Sequence, residues 1–256
     1  MSAAATPADD PMAGTVAHVF VDDLDAPELD ESDRRHLLAV LRLRPGQPLT
    51  ASDGRGGVRR CRMGDRGALE TCGDVVNTPR PEPALTVGVA LTKGARLEVA
   101  VQKLTELGVE RIVPFVAARS VLRWDGERAE HHRRRLGRIA REAAMQSRRA
   151  HLPVLEALSD PATLAGRPGA ALCQRGGRPP TLDDRVVLVG PEGGWAPEEL
   201  GLGLPCIGLG PHVLRAETAA LAVAAVLVAL RDGVVVATTD DRTGGVQPIA
   251  QRGGAA

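Results

Sequence analysis

The sequence predicts an α/β protein in two parts, a small β-barrel followed by a parallel sheet with helices on both faces, and three observations carry that reading. From Val16 to about Asn77, short apolar runs are broken by the turn signals Pro45-Gly46, Asp53-Gly54 and Gly56-Gly57. Thr78-Pro79-Arg80-Pro81-Glu82-Pro83 then reads as a stiff extended link, because alternate prolines hold the backbone out of helix. Beyond it, strand-length apolar runs alternate with helical patterns, the arrangement that builds parallel sheets.

The elements follow in order. Residues 1–15, rich in Ala, Pro and Asp, are expected to be disordered, the barrel to occupy 16–80, the α/β domain 81–235, and 236–256 to form a flexible tail. Within the second part, Ala84 to Leu91 reads as a strand and Arg96 to Leu107 as a helix that Gly108 stops. Arg111 to Val116 is a second strand, Glu127 to Gln146 a long helix, Ala170 to Cys173 a short strand and Arg185 to Val189 a buried one. Ile207 to Leu209 precedes a last helix over Glu217 to Arg231.

Composition narrows the class. With 256 residues and 43% apolar content the chain can fill a real core, but aromatic residues make up only 2% and tyrosine is absent, which argues against stacking of RNA bases on aromatic side chains. Basic and acidic residues balance at 32 each, yet the distribution is uneven: nine acidic and no basic residues up to Asp33, eight arginines against two glutamates between Arg128 and Arg149. Cys61, Cys72, Cys173 and Cys206 form no CxxC pair and lack histidines at zinc-finger spacing, so neither a metal site nor a disulfide framework is expected, and reduced, buried thiols are. His18, His36, His131, His132 and His151 accompany no nucleophile signature and read as structural or exposed. The longest apolar run, Ala219 to Leu230, is too short to span a bilayer and no secretory signal opens the chain, which points to a cytoplasmic protein without membrane contact.

Two loops carry candidate chemistry. Val186-Val187-Leu188-Val189 runs into Gly190-Pro191-Glu192-Gly193-Gly194, a glycine-rich loop at a strand end, where ligands of parallel sheets bind. It lacks both the Lys-Ser/Thr of a P-loop and the GxGxxG spacing of dinucleotide folds, which disfavours pyrophosphate. The second is Leu209-Gly210-Pro211-His212-Val213-Leu214-Arg215-Ala216-Glu217-Thr218-Ala219-Ala220, with charges set among apolar residues at a helix start. Its plainer reading has Glu217 and Thr218 capping the helix and Arg215 paired with Glu217 at the surface.

Together the loops resemble the RsmE family of 16S ribosomal RNA uridine-N3 methyltransferases, within the SPOUT superfamily. Further resemblance lies in Lys93-Gly94, in Lys103-Leu104-Thr105-Glu106-Leu107-Gly108-Val109, in Pro114 with Arg119-Ser120, and in Glu142 to Arg149 with Pro153; the likeness spans about residues 18 to 232. His36-Leu37-Leu38-Ala39-Val40-Leu41-Arg42 and Asp53-Gly54 resemble that family's PUA-like RNA-binding barrel. The chain departs from the family pattern at His212 and at Cys173-Gln174-Arg175.

The resemblance implies a SPOUT-type sheet ending in a trefoil knot, S-adenosyl-L-methionine held between the knot loops, and a homodimer whose active site draws on both subunits. It implies 16S ribosomal RNA as substrate, within the 30S subunit, and no metal. Carried onto this sequence, the cofactor would meet Leu172 from one strand end, Gly190, Pro191, Glu192, Gly193 and Gly194 from the first loop, and Leu209, Gly210, Pro211, Val213, Leu214, Arg215, Thr218 and Ala219 from the second. Arg215 would stabilise charge on the uracil, with Glu217 orienting it or accepting the proton. Arg42, Arg44, Arg55, Lys93, Arg123, Arg148 and Arg149 are the candidate RNA contacts. Two competing readings are a SPOUT methyltransferase acting on another RNA and a non-catalytic ribosome-assembly factor that binds RNA.

Overall fold

Alternation of inward side chains along Val186-Val187-Leu188-Val189 organises the larger sheet. Val187 and Val189 point into one hydrophobic core and Val186 and Leu188 into another, so the strand is buried on both faces. In the computed structural model, which describes residues 11–236, this strand is β9 (Val186–Val189). It sits in a wholly parallel six-stranded sheet of order β10-β8-β9-β5-β6-β7, with β5 at Thr86–Ala90, β6 at Arg111–Phe115, β7 at Val154–Leu155, β8 at Ala170–Arg178 and β10 at Cys206–Ile207.

Helices cover both faces. In α2 (Arg96–Leu107), Leu97, Ala100, Val101, Leu104 and Thr105 are buried, the i, i+3, i+4 spacing of one apolar stripe. Gly108 ends that helix at φ 99°, its N–H reaching the Leu104 and Thr105 carbonyls. The stripe packs beside α3 (Gly126–Gln146) and α6 (Ala216–Arg231). On the other face α4 (Pro161–Ala165) sets Leu164 against Phe115 and Leu188, and the short α5 (Pro197–Leu200) follows the glycine loop.

Before this domain, β1 (Ala17–Phe20), β2 (Pro48–Ser52), β3 (Gly57–Met63) and β4 (Leu69–Asn77) form a four-stranded sheet in that order, β1 parallel to β2 and the rest antiparallel. Helix α1 (Glu31–Arg35) starts where the Asp30 carboxylate accepts the Asp33 N–H and runs into a π-helical turn that buries Leu37. Val19, Leu37, Leu49, Ala51, Cys61 and Met63 form the core of this part. Only Cys61 of the four cysteines is fully buried; the others are half-buried, and all four are unpaired.

The end of α3 locks the two parts together. Arg141 forks onto Asp33 at 3.0 and 2.6 Å, the Ser52 hydroxyl and the Gly56 N–H both donate to the Ala150 carbonyl, and Leu152 N–H donates to the Gly54 carbonyl. The expectation of disorder up to residue 15 fails for its last few residues: Met12 to Thr15 form a turn, and the buried Thr15 is held by Arg148. Residues 1–10 and the expected tail beyond Val236 lie outside the described residues. Among the described residues no helix is long and apolar enough to cross a membrane.

One irregularity shapes the ligand end of the sheet. Adjacent residues of β10, Cys206 and Ile207, pair with Leu172 and Arg178 of β8, so residues 173–177 leave the ladder between them. A Cβ on Gly177 would lie 2.6 Å from the Cys206 carbonyl, and one on Gly208 2.6 Å from the Gly177 oxygen; the two backbones touch where only glycine fits.

Candidate active site

Strands β5, β8, β9 and β10 all end on one side of the sheet, which gathers the loops that follow them. One pocket there is walled by Gly190, Pro191, Glu192 and Gly194 of the first glycine loop, and by Leu209, Gly210, Val213, Leu214 and Ala219 of the second. The two loops that the sequence-based reading paired therefore share one cavity. Cys173, Gln174, Arg175, Val189, Trp195, His212 and Ala216 complete it.

Two of the expected contacts lie off the pocket wall. Leu172 is fully buried in the core beneath the sheet, because strand alternation turns it away from the pocket and gives that place to Cys173. Gly193 is absent from the wall: its carbonyl accepts Arg119 at 3.0 Å, and a Cβ there would meet the Arg119 side chain at 3.2 Å. Pro211 lines a neighbouring groove with Arg175 and Gly177, and Arg215 and Thr218 are exposed beside the pocket.

Trp195 fixes the glycine loop. Its indole N–H donates to the Cys173 carbonyl at 3.0 Å, its ring stacks on Phe115 at 6.0 Å, and a Cβ on Gly190 would come within 2.9 Å of that ring. Glu199 ties the same loop to the end of β6, accepting the Ala196 and Ala118 N–H groups at 2.8 and 2.9 Å while itself buried. Neither residue stands out in the sequence; the one signal for Glu199 is its place three residues after the N-cap Ala196, from which its carboxylate reaches back to the Ala196 N–H. Burial pushes the Cys173 thiol up to about 11, so it lines the pocket as a neutral apolar group.

The charged triplet at the start of α6 adopts neither plain role. Arg215 is the N-cap residue and makes no side-chain capping bond, and Glu217 reaches Arg96 at 3.9 Å rather than Arg215. The Glu217 side chain is 16% exposed and its Oε2 has no hydrogen-bond partner among the described residues. Arg96 is also ion-paired with Glu192, so one guanidinium links the two loops of the pocket through their carboxylates.

The expected RNA contacts divide. Arg42, Arg44, Arg55, Lys93 and Arg123 are exposed, Arg55 with a 3.6 Å pairing to Asp53. Arg149 is half-buried, and its guanidinium donates to the Thr105 and Val109 carbonyls at 2.9 Å each, which closes the turn after α2. Arg148 likewise spends its guanidinium on the Met12 and Thr15 carbonyls. Both guanidinium groups are engaged by main-chain carbonyls, Arg149 half-buried and Arg148 still exposed. Among the described residues no three His, Cys, Asp or Glu side chains gather as a metal site.

Known proteins resemble this chain in sequence and fold. Residues 79–228 match the RNA methyltransferase domain family, and residues 29–69 match the RNA methyltransferase PUA domain. The chain is 34% identical over 217 positions to ribosomal RNA small subunit methyltransferase E of Mycobacterium bovis, covering 75% of this chain and 82% of that protein. This chain belongs to the ribosomal RNA small subunit methyltransferase E family. The protein of that name from Bacillus subtilis is 30% identical over 73% of this chain and 83% of its own length. Among solved structures, ribosomal RNA small subunit methyltransferase E from Neisseria gonorrhoeae, bound to S-adenosyl methionine, is 27% identical with a TM-score of 0.70, covering 84% of this chain and 97% of that one. A Legionella pneumophila methyltransferase with bound SAM superposes at a TM-score of 0.71 and 25% identity over 82% of this chain and 96% of that one. The likeness to both structures covers more than four fifths of this chain, and His212 and Cys173-Gln174-Arg175 line the pocket itself.

Proposed function

We propose that this chain is an S-adenosyl-L-methionine-dependent methyltransferase that methylates N3 of a uridine in 16S ribosomal RNA. The observation that carries this reading is the pocket formed jointly by the Gly190 and Gly210 loops in a chain of this family. Its residues fit the cofactor: Val189, Leu209, Leu214 and Ala219 offer apolar walls for a purine, the glycine backbones of both loops offer N–H and C=O groups for its edge and ribose, and Arg175 offers a cation for a carboxylate. Bound there, S-adenosyl-L-methionine supplies an electrophilic methyl group.

The protein's own tasks are alignment and charge control. Uridine N3 is a poor nucleophile while protonated, so the site must favour its deprotonated form. Arg215, exposed beside the pocket, stabilises negative charge on the uracil oxygens, and Glu217, whose Oε2 has no hydrogen-bond partner among the described residues, accepts the proton. Arg42, Arg44, Arg55, Lys93 and Arg123 position the RNA through its phosphates. The division into a PUA-like part over 16–80 and a methyltransferase part over 81–235 assigns RNA holding to the first and chemistry to the second. A trefoil knot in the second part, a homodimer that completes the site, the assembled 30S subunit as substrate and a cytoplasmic location belong to the same proposal.

The test is transfer of a labelled methyl group from S-adenosyl-L-methionine to purified 30S subunits and to free 16S RNA, followed by nucleoside analysis. Label in 3-methyluridine supports the reading. Cofactor binding without transfer to either RNA would favour an assembly factor instead.

A further inference from the structure

A second crevice opens between the start of α2, the segment after β6 and the first half of α3, and it shares no lining residue with the cofactor pocket. Thr92 lies in it, 4% exposed, with its hydroxyl buried and without a hydrogen-bond partner among the described residues. One wall is aromatic: the rings of Trp124 and His132 stack 4.1 Å apart at 9°. Arg128 and Arg135 stand at the mouth, the latter paired with Glu98 at 2.9 Å. Burial, followed by the nearby Arg128, lowers the His132 pKa.

A buried hydroxyl with no partner carries a desolvation cost, and such groups persist where a ligand completes them. A flat aromatic wall, a single hydroxyl at depth and guanidinium groups at the mouth together suit a nucleotide: the base lies along the rings, its edge meets the hydroxyl, and the phosphate meets a guanidinium. Position agrees. Thr92 follows β5 by two residues, so the crevice opens on the sheet edge that bears the glycine loops, and Arg96 at its flank is ion-paired to Glu192 of the cofactor pocket. The two cavities share no lining residue, so a nucleotide in the crevice is distinct from the base beside the cofactor pocket.

We infer that this crevice takes one unstacked nucleotide of the substrate RNA other than the one methylated, and so contributes to choosing the site. The inference rests on the methyltransferase reading above. It also revises the expectation drawn from aromatic scarcity: one of the two tryptophans in the chain is placed where it can stack on a base.

The variants are Thr92→Val and Trp124→Leu, each checked for folding by thermal melting and for cofactor affinity by calorimetry. Thr92→Val removes an unpaired hydroxyl from a site of the same shape, so the free protein should melt no lower than wild type. On 30S subunits lacking the modification, KM for RNA should rise roughly two- to tenfold for Thr92→Val and roughly five- to hundredfold for Trp124→Leu, with kcat changing less. Separately, titrating 16S RNA into the wild type should quench tryptophan fluorescence, and Trp124→Phe should lose that quench. Folded variants with wild-type KM, or a quench that survives in Trp124→Phe, would overturn the inference. A wild type that methylates no RNA sinks the functional reading instead, and the fluorescence titration still decides the crevice.

Discussion

His18 donates its Nε2–H to the main-chain carbonyl of Arg149 at 3.0 Å, and through that bond the first strand of the small sheet grips the segment just after the long helix α3. A carbonyl only accepts, so Nε2 carries the proton and Nδ1 accepts from the Thr50 hydroxyl at 2.8 Å. The ring is neutral, and burial drives its pKa from 6.5 down to about 4, against the opposing effect of the Arg149 bond.

The sign of the resulting pH dependence follows. The unfolded chain binds a proton on this histidine below pH 6.5 and the folded chain only near pH 4, so the contribution is fully present above 6.5 and is lost as pH falls toward 4. The gap corresponds to about 3 kcal/mol at 1.36 kcal/mol per unit. Urea midpoints of the wild type should fall steadily from pH 7 to pH 4.5, and His18→Gln should flatten that slope; equal slopes would remove His18 from the account.

Arg149→Ala tests the part this side chain plays in holding the turn after α2. Two buried carbonyls lose a charged donor, so unfolding free energy should drop by about 2 to 4 kcal/mol, while exposed Arg42→Gln changes it by less than about 0.5. RNA binding should report the opposite order. Removing one phosphate-binding cation, by Arg42→Gln or Arg44→Gln, should lower the salt slope of affinity by roughly 0.7 to 0.9. Comparable stability of Arg149→Ala and Arg42→Gln would mean that Arg149 is free after all.

Gly190→Val probes the cofactor pocket at its tightest point. A side chain there must displace the Trp195 ring, whose indole N–H is fixed on Cys173. Affinity for S-adenosyl-L-methionine, measured by calorimetry on a variant shown folded by circular dichroism, should fall by roughly tenfold or more.

Arg215→Ala separates chemistry from folding. The side chain is exposed and caps nothing, so stability should stay within about 0.5 kcal/mol of wild type. Single-turnover methylation at saturating cofactor and RNA should slow by roughly ten- to hundredfold, the worth of a charge-assisted hydrogen bond in the transition state. An unchanged rate would return Arg215 to the surface.

The sequence made the strands and helices of the larger domain legible because each repeats an apolar period: α2 matches its expected limits of Arg96 and Leu107, and β9 its buried run. The two glycine loops were legible as a pair for the same reason, since each follows a strand. What pattern could not show was direction. Arg148 and Arg149 look like a basic surface, yet the turn after α3 aims them back at the chain, and only the folded path of residues 12–15 and 105–109 supplies their acceptors. Leu172 and Cys173 exchanged places by one step of strand alternation. Trp195 and Glu199 escaped notice because their partners, Cys173, Phe115 and Ala118, are distant in sequence.

The central claim is that this chain places one methyl group on N3 of one uridine in 16S ribosomal RNA. The most direct measurement is mass spectrometric mapping of methylated nucleosides in 16S RNA from cells with the gene, without it, and with it restored as the Arg215→Ala form. A single 3-methyluridine should disappear with the gene, return with the wild-type protein and return only weakly with Arg215→Ala. An unchanged 3-methyluridine content in cells lacking the protein would contradict the claim.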